Sequence, residues 1–90
     1  MPNKPSAEKR VRSSRRKEAV NRVHRGRART ADKKARGLIE QGRLEEAREA
    51  VQIAQAALDN AAQKGVIHKN KAARRKSRLM EQLNELEQQA

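Results

Sequence analysis

Apolar residues recur at helical spacing, and the most regular series lies in the middle of the chain. Alternating steps of three and four residues separate six apolar positions: Leu44, Ala47, Val51, Ala54, Leu58 and Ala61. Such steps place side chains on one face of an α-helix. Glu45, Glu46 and Glu49 lie in its first turns, where the helix dipole favours anions. Lys64 and Gly65 are typical of a helix C-terminus, so we predict that the helix ends there.

A first helix is predicted over residues 7–41, because no proline interrupts this stretch. Ser6 is suited to cap its N-terminus, and Gly42 suits the turn after it. Helically spaced apolar positions are confined to its second half: Ala31, Ala35, Leu38 and Ile39. The first half has no apolar stripe wide enough to bury. Gly26 and Gly37 each cost about 1 kcal/mol relative to Ala in a helix, which makes either a candidate site for a kink.

A third helix is predicted over residues 69–87, after a short apolar connector. Its first half is basic, and its second half is acidic and carries leucines. The expected inward positions are Ala72, Leu79, Leu83 and Leu86. The fold class is therefore all-α: an antiparallel three-helix bundle with a long basic N-terminal helix extending beyond the body. We expect one domain, with a basic arm at residues 1–30 and the bundle body at residues 31–90.

The composition indicates a thin hydrophobic core and an acidic partner. The 90-residue chain contains fifteen alanines and no aromatic residue, so it has little bulky apolar surface to bury. Its net charge of +12 implies a polyanion such as RNA, DNA or an anionic membrane surface. The absence of cysteine excludes disulfides and thiolate metal sites. With neither an apolar membrane span nor a signal-peptide pattern in the sequence, we expect a cytoplasmic protein.

The charge is divided into blocks along the chain. Residues 1–36, the first basic segment, hold fourteen Lys/Arg and three Asp/Glu, whereas residues 64–78, the second basic segment, hold seven and none. Residues 37–63 and 79–90 each carry a net charge of −3. Two basic segments that flank a nearly neutral hairpin indicate an arm and a basic cluster attached to a small folded body.

The first basic segment carries bases on nearly every face of its predicted helix, which suits insertion between RNA segments. Its candidate RNA-binding residues are Lys9, Arg10, Arg12, Arg15, Arg16, Lys17, Arg22, Arg25, Arg27 and Arg29. Arginine dominates this set, and its planar guanidinium can bind phosphate through two hydrogen bonds. The alternative is a disordered basic tail with non-specific affinity.

The second basic segment places a basic stripe on one helix face. Lys71, Arg74, Arg75 and Arg78 follow the spacing i, i+3, i+4 and i+7, and we expect this face to lie opposite Ala72 and Leu79. Further candidate RNA-binding residues of this segment are Lys69, Asn70 and Lys76. The alternative is a solvated charged face, but such faces normally mix both signs of charge.

Catalysis and metal binding find no support in the sequence. His24 and His68 are far apart, and neither belongs to a cluster at metal-ligand spacing. No acid/base pair, nucleophile with partners or glycine-rich phosphate loop is present. We therefore expect no enzyme, no metal, no cofactor and no small-molecule substrate. Because aromatic side chains for base stacking are missing, recognition should use phosphates, 2′-hydroxyls and RNA shape.

Residues 65–79, which read GVIHKNKAARRKSRL, closely resemble the signature of the family of the twentieth protein of the bacterial small ribosomal subunit. The stretch 6–12 looks like that family's opening, and residues 21–22 and 29–31 fall in its register. The resemblance implies an all-helical fold, direct binding to small-subunit (16S-type) ribosomal RNA, and a role in assembly in the ribosome beside other small-subunit components. It also implies RNA contacts over the arm from Lys4 to Arg29 and from His68 to Arg78.

Two other functions remain open at the level of sequence. An architectural DNA-binding protein would also be basic and poor in aromatics, although neither a β-arm nor an apolar minor-groove wedge is visible. A membrane-surface helix would set bulky apolar residues against its lysines and arginines. The arm has no such apolar face, so we expect no membrane partner.

Overall fold

Three α-helices make up the part of the chain that the computed structural model describes, which is residues 5–89, with side chains from residue 10 onward. They are α1 (Pro5–Glu40), α2 (Leu44–Gln63) and α3 (Lys69–Gln89). The predicted all-α fold is confirmed, and each predicted helix boundary lies within two residues of the observed one. The predicted cap at Ser6 is wrong, because the described helix already includes Pro5, whose fixed φ suits the first helical turn.

Both connections are tight because a glycine with positive φ ends each of the first two helices. Gly42 has a φ of +74° and Gly65 a φ of +73°. The N–H of Arg43 donates to the carbonyl of Leu38 at 3.1 Å, and that of Val66 donates to Ala61 at 2.9 Å. These are the hydrogen bonds of a Schellman motif, in which a left-handed glycine satisfies the last carbonyls of the helix. Short connections of this kind place consecutive helices side by side and antiparallel.

The core is a seam of small and aliphatic side chains at the centre of the three helices. The predicted seam of α2 is buried except for Leu44, which is half-buried, and Ala50 joins it. In α3 the predicted inward residues are buried, again with one half-buried member, Leu86. In α1 the buried apolar residues are Ala28 and Ala35, while the other predicted positions are partly buried. The apolar periodicity therefore identified the packed faces correctly.

The molecule is elongated because α1 continues past the body. Its radius of gyration is 17.9 Å, whereas a compact domain of this length would have about 12 Å. No side chain between residues 10 and 27 is buried, so this part of α1 packs little against the body. The helix continues through Gly26 and Gly37 without interruption.

Candidate nucleic-acid interface

The first basic segment presents its described cations to solvent. Lys4 lies outside the described residues, and the side chain of Lys9 is also outside the described part. The other candidate residues of the arm, from Arg10 to Arg29, are exposed. One of them, Arg22, has an ion pair, with Glu18 at 3.9 Å. Since successive helical residues turn by about 100°, these cations surround the helix axis, as the sequence indicated.

The second basic segment forms the connector and the first turns of α3. Lys71, Arg74 and Arg78 are exposed, and none of them has an ion pair among the side chains of residues 10–89. Lys69 and Asn70 are exposed as well. Three of the four residues of the predicted basic stripe therefore lie on the outer face of α3.

Arg75 and Lys76 differ from the rest of this segment. Arg75 was expected on the outer stripe, but it is half-buried, and its Nη1 lies 3.7 Å from Oδ2 of Asp32 on α1. Lys76 Nζ lies 2.8 Å from Oδ1 of Asp59 on α2. Both residues flank the buried positions of α3, one toward each neighbouring helix. The expectation that Arg75 faces away from the core is therefore wrong, because its long side chain reaches back across the seam to an acid on α1.

A groove of about 550 Å³ brings the two basic segments together. It runs between the middle of α1 and the first turns of α3, beside the connector. Its apolar lining comes from Ala28, Leu58, Val66 and Ile67. Its ionisable lining is basic except for Asp32: Arg25, Arg29, Arg36, His68, Lys71 and Arg75. A cleft with a large excess of positive side chains and with apolar walls concentrates positive potential and attracts an anion.

His68 caps the helix that borders this groove. Its Nδ1 accepts a hydrogen bond from the backbone N–H of Asn70 at 3.1 Å, and its carbonyl accepts one from Ala72 at 3.1 Å. A neutral imidazole that accepts at Nδ1 carries its proton on Nε2. His68 therefore lines the groove next to the positive end of the α3 dipole.

Asp32 and Arg36 are residues of the groove that were not predicted as site residues. Together with Arg25 and Arg29 they follow steps of four, three and four residues, the same spacing that defined the core seam of α2. This spacing is a signal that could have placed all four on one face. Asp32 and Arg36 lie beyond Arg29, the last RNA-binding residue predicted for the arm.

Two other kinds of site were sought among the described residues. Residues 5–89 contain no group of three or more His, Asp or Glu side chains placed to hold a metal ion. No helix in that range is long and apolar enough to cross a membrane.

The similarity of this chain to known proteins extends over almost its whole length. Residues 2–84 match the family model described as Ribosomal protein S20. A small ribosomal subunit protein bS20 of Thermomicrobium roseum is 54% identical over 96% of this chain and 87% of its own length. The protein of that name from Coprothermobacter proteolyticus is 49% identical over 94% of this chain and 97% of its own length. The one from Geobacillus kaustophilus is 47% identical over 97% of this chain and 98% of its own length. The chain therefore belongs to the ribosomal protein S20 family.

Proposed function

We propose that this protein is a structural, non-catalytic constituent of the bacterial small ribosomal subunit. It binds directly to small-subunit ribosomal RNA and supports the folding and assembly of that RNA beside other ribosomal components. The single observation that carries the proposal is the convergence of both basic segments on one groove. Membership of the ribosomal protein S20 family supports the choice of ribosomal RNA as the polyanion.

The groove fits a phosphodiester backbone because it offers donors of several kinds at close quarters. Arg25, Arg29 and Arg75 supply planar guanidinium groups, and Lys71 supplies a point charge. His68 adds an imidazole at the N-terminus of α3, where the helix dipole also favours an anion. All of these donors can bind phosphate oxygens, which agrees with recognition of backbone position and RNA shape.

The arm supplies the second proposed contact with RNA, beside the groove. Residues 10–27 span about 27 Å of helix at 1.5 Å per residue and have no buried side chain. Cations around the whole helix can neutralise phosphates of RNA segments on more than one side. We propose the arm (residues 1–30) and the body (residues 31–90) as the two functional parts, with Lys4–Arg29 and His68–Arg78 as the RNA-contacting segments. Within the second segment, the charge of Lys76 is already paired with Asp59.

Hydroxyl-radical footprinting on naked small-subunit ribosomal RNA tests this proposal. The full chain should protect a discrete set of riboses at nanomolar to micromolar protein, and the same RNA should outcompete duplex DNA at equal salt. The matched control is a chain with Lys71, Arg74 and Arg78 replaced by Ala, which should lose a subset of the protections. Protection absent with the wild-type chain, or equal affinity for duplex DNA, would contradict the assignment.

A further inference from the structure

Asp32 is a buried carboxylate in the middle of a basic groove. It is 6% exposed and is the one buried charged residue among the described side chains. Its Oδ2 lies 3.3 Å from Nε of Arg36 and 3.7 Å from Nη1 of Arg75. Its Oδ1 is buried without a hydrogen-bond partner. Asp32 thus joins two arginines from different helices while leaving one of its own oxygens unsatisfied.

Stability of the bundle does not account for this arrangement. Burying a carboxylate carries a large desolvation penalty, which is offset only when both oxygens are well paired. Asp32 falls between Ala28 and Ala35, the buried residues of α1, at a position where an apolar side chain would pack without that penalty. The carboxylate must therefore be explained by what it does to its partners.

The ion pair with Asp32 links Arg75 on α3 to α1 across the groove. Arg75 belongs to the second basic segment, whereas Arg25 and Arg29 on the opposite wall belong to the first. The five lysine and arginine side chains that line one groove repel one another, and a free arginine side chain samples many rotamers. A buried anion between the walls counteracts both effects. Since a guanidinium has five N–H donors, contact through Nη1 leaves the other nitrogens of Arg75 available to a ligand.

We propose that Asp32 is a positioning residue of the RNA site: it fixes Arg75 so that its free N–H groups bind an RNA phosphate lodged between α1 and α3. This inference rests on the proposed function and deepens it. It assigns the groove as the binding site of one phosphodiester segment, which side chains of both walls contact. Preorganisation of this kind strengthens binding because the arginine is ordered before the ligand arrives.

Asp32→Asn and Asp59→Asn form a matched pair for the test. Each substitution removes one negative charge, and each weakens an ion pair that joins α3 to a neighbouring helix. Charge counting alone predicts tighter RNA binding for both. If Asp32 positions Arg75, Asp32→Asn should instead bind small-subunit RNA about three- to tenfold more weakly, the net contribution of one ordinary hydrogen bond. Asp59→Asn should bind as well as wild type or better.

The salt dependence separates positioning from a loss of folded protein. A chain that is merely less folded binds more weakly with an unchanged slope of log affinity against log salt. A lost phosphate contact makes that slope shallower, because it reduces its magnitude by about 0.7–0.9. Asp32→Asn should lower the slope as Arg75→Ala does, and the double variant should lose nothing further. Asp32→Ala, which removes the ion pair with Arg75, should repeat the result, and circular dichroism should report equal helix content.

These measurements distinguish a failure of the proposed function from a failure of the positioning role of Asp32. Failure of the wild-type chain to bind the RNA would overturn the proposed function together with this inference. Wild-type binding that Asp32→Asn strengthens to the same extent as Asp59→Asn would overturn the positioning role alone. So would an equal loss from Asp32→Asn in the wild-type and Arg75→Ala backgrounds, because the effect would then not pass through Arg75.

Discussion

Nζ of Lys76 lies 2.8 Å from Oδ1 and 3.1 Å from Oδ2 of Asp59, so that this lysine of α3 is bound by both oxygens of an acid on α2. Five residues earlier on the same helix, Lys71 lines the groove and has no ion pair among the described side chains. Of these two lysines of one basic segment, Lys76 is thus paired with an acid of the bundle, whereas Lys71 has no acidic partner among the described side chains. The difference gives a direct way to distinguish RNA-facing charge from charge used inside the bundle.

We expect Lys71→Ala to weaken RNA affinity and to lower the salt slope by about 0.7–0.9, the contribution of one phosphate contact. The comparison is Lys76→Ala combined with Asp59→Asn, which removes the second lysine without leaving an unpaired carboxylate. That double variant should change the slope less, because the charge of Lys76 is already compensated by Asp59. A salt titration of binding to small-subunit RNA measures both. Equal decreases in slope would mean that the ion pair opens on RNA binding.

Leu58→Ala and Leu83→Ala should each lower the free energy of unfolding by about 2–5 kcal/mol. Both residues belong to the buried seam, at 4% and 6% exposure, and each truncation leaves a cavity that small alanine neighbours cannot fill. Ile53→Ala is the control, since Ile53 is 56% exposed and should change stability by no more than about 0.5 kcal/mol. Denaturant unfolding followed by circular dichroism gives all three values. A larger loss at Ile53 than at Leu58 would show that the core is misassigned.

Replacing glycine by alanine should have opposite effects at Gly42 and Gly37. An added Cβ meets nothing within 4 Å at either position, so that only the backbone conformation decides. Gly42 has a φ of +74°, which costs an alanine about 1–2 kcal/mol. Gly37 lies inside α1, where alanine is favoured by about 1 kcal/mol. Thermal unfolding should shift downward for Gly42→Ala and upward for Gly37→Ala, and shifts of the same sign would contradict this account.

In the free protein, we expect the arm to be only partly helical, with amides of residues 10–24 that exchange hydrogen rapidly. Ordering a residue costs about 1–2 kcal/mol of backbone entropy, and none of these side chains is buried to offset that cost. The amides of α2 around Val51 and Leu58 serve as the internal reference, because their side chains lie in the core. Hydrogen exchange with and without small-subunit RNA should show protection of the arm only in the complex. Equal protection of the arm and α2 in the free chain would refute the expectation.

Helix positions and core faces could be predicted from the sequence because they depend on local rules. Steps of three and four residues predicted six inward positions in α2, and five of them are buried, whereas Leu44 is half-buried. Gly42 and Gly65 located the ends of two helices because few other residues adopt positive φ at low cost. The family signature at residues 65–79 likewise indicated the family that the comparison assigned.

The pairing of residues across helices could not be read in the same way, because it depends on how two helices rotate and slide against each other. The sequence determined that the chain is all-helical, which faces are apolar and where the two basic segments lie. Only the tertiary structure decided that these segments meet at one groove, that Arg75 reaches Asp32 on α1 while Lys76 reaches Asp59 on α2, and that Arg36 joins the site. The physical reason is that periodicity fixes directions around one helix axis, whereas contacts between helices follow from the packing of both.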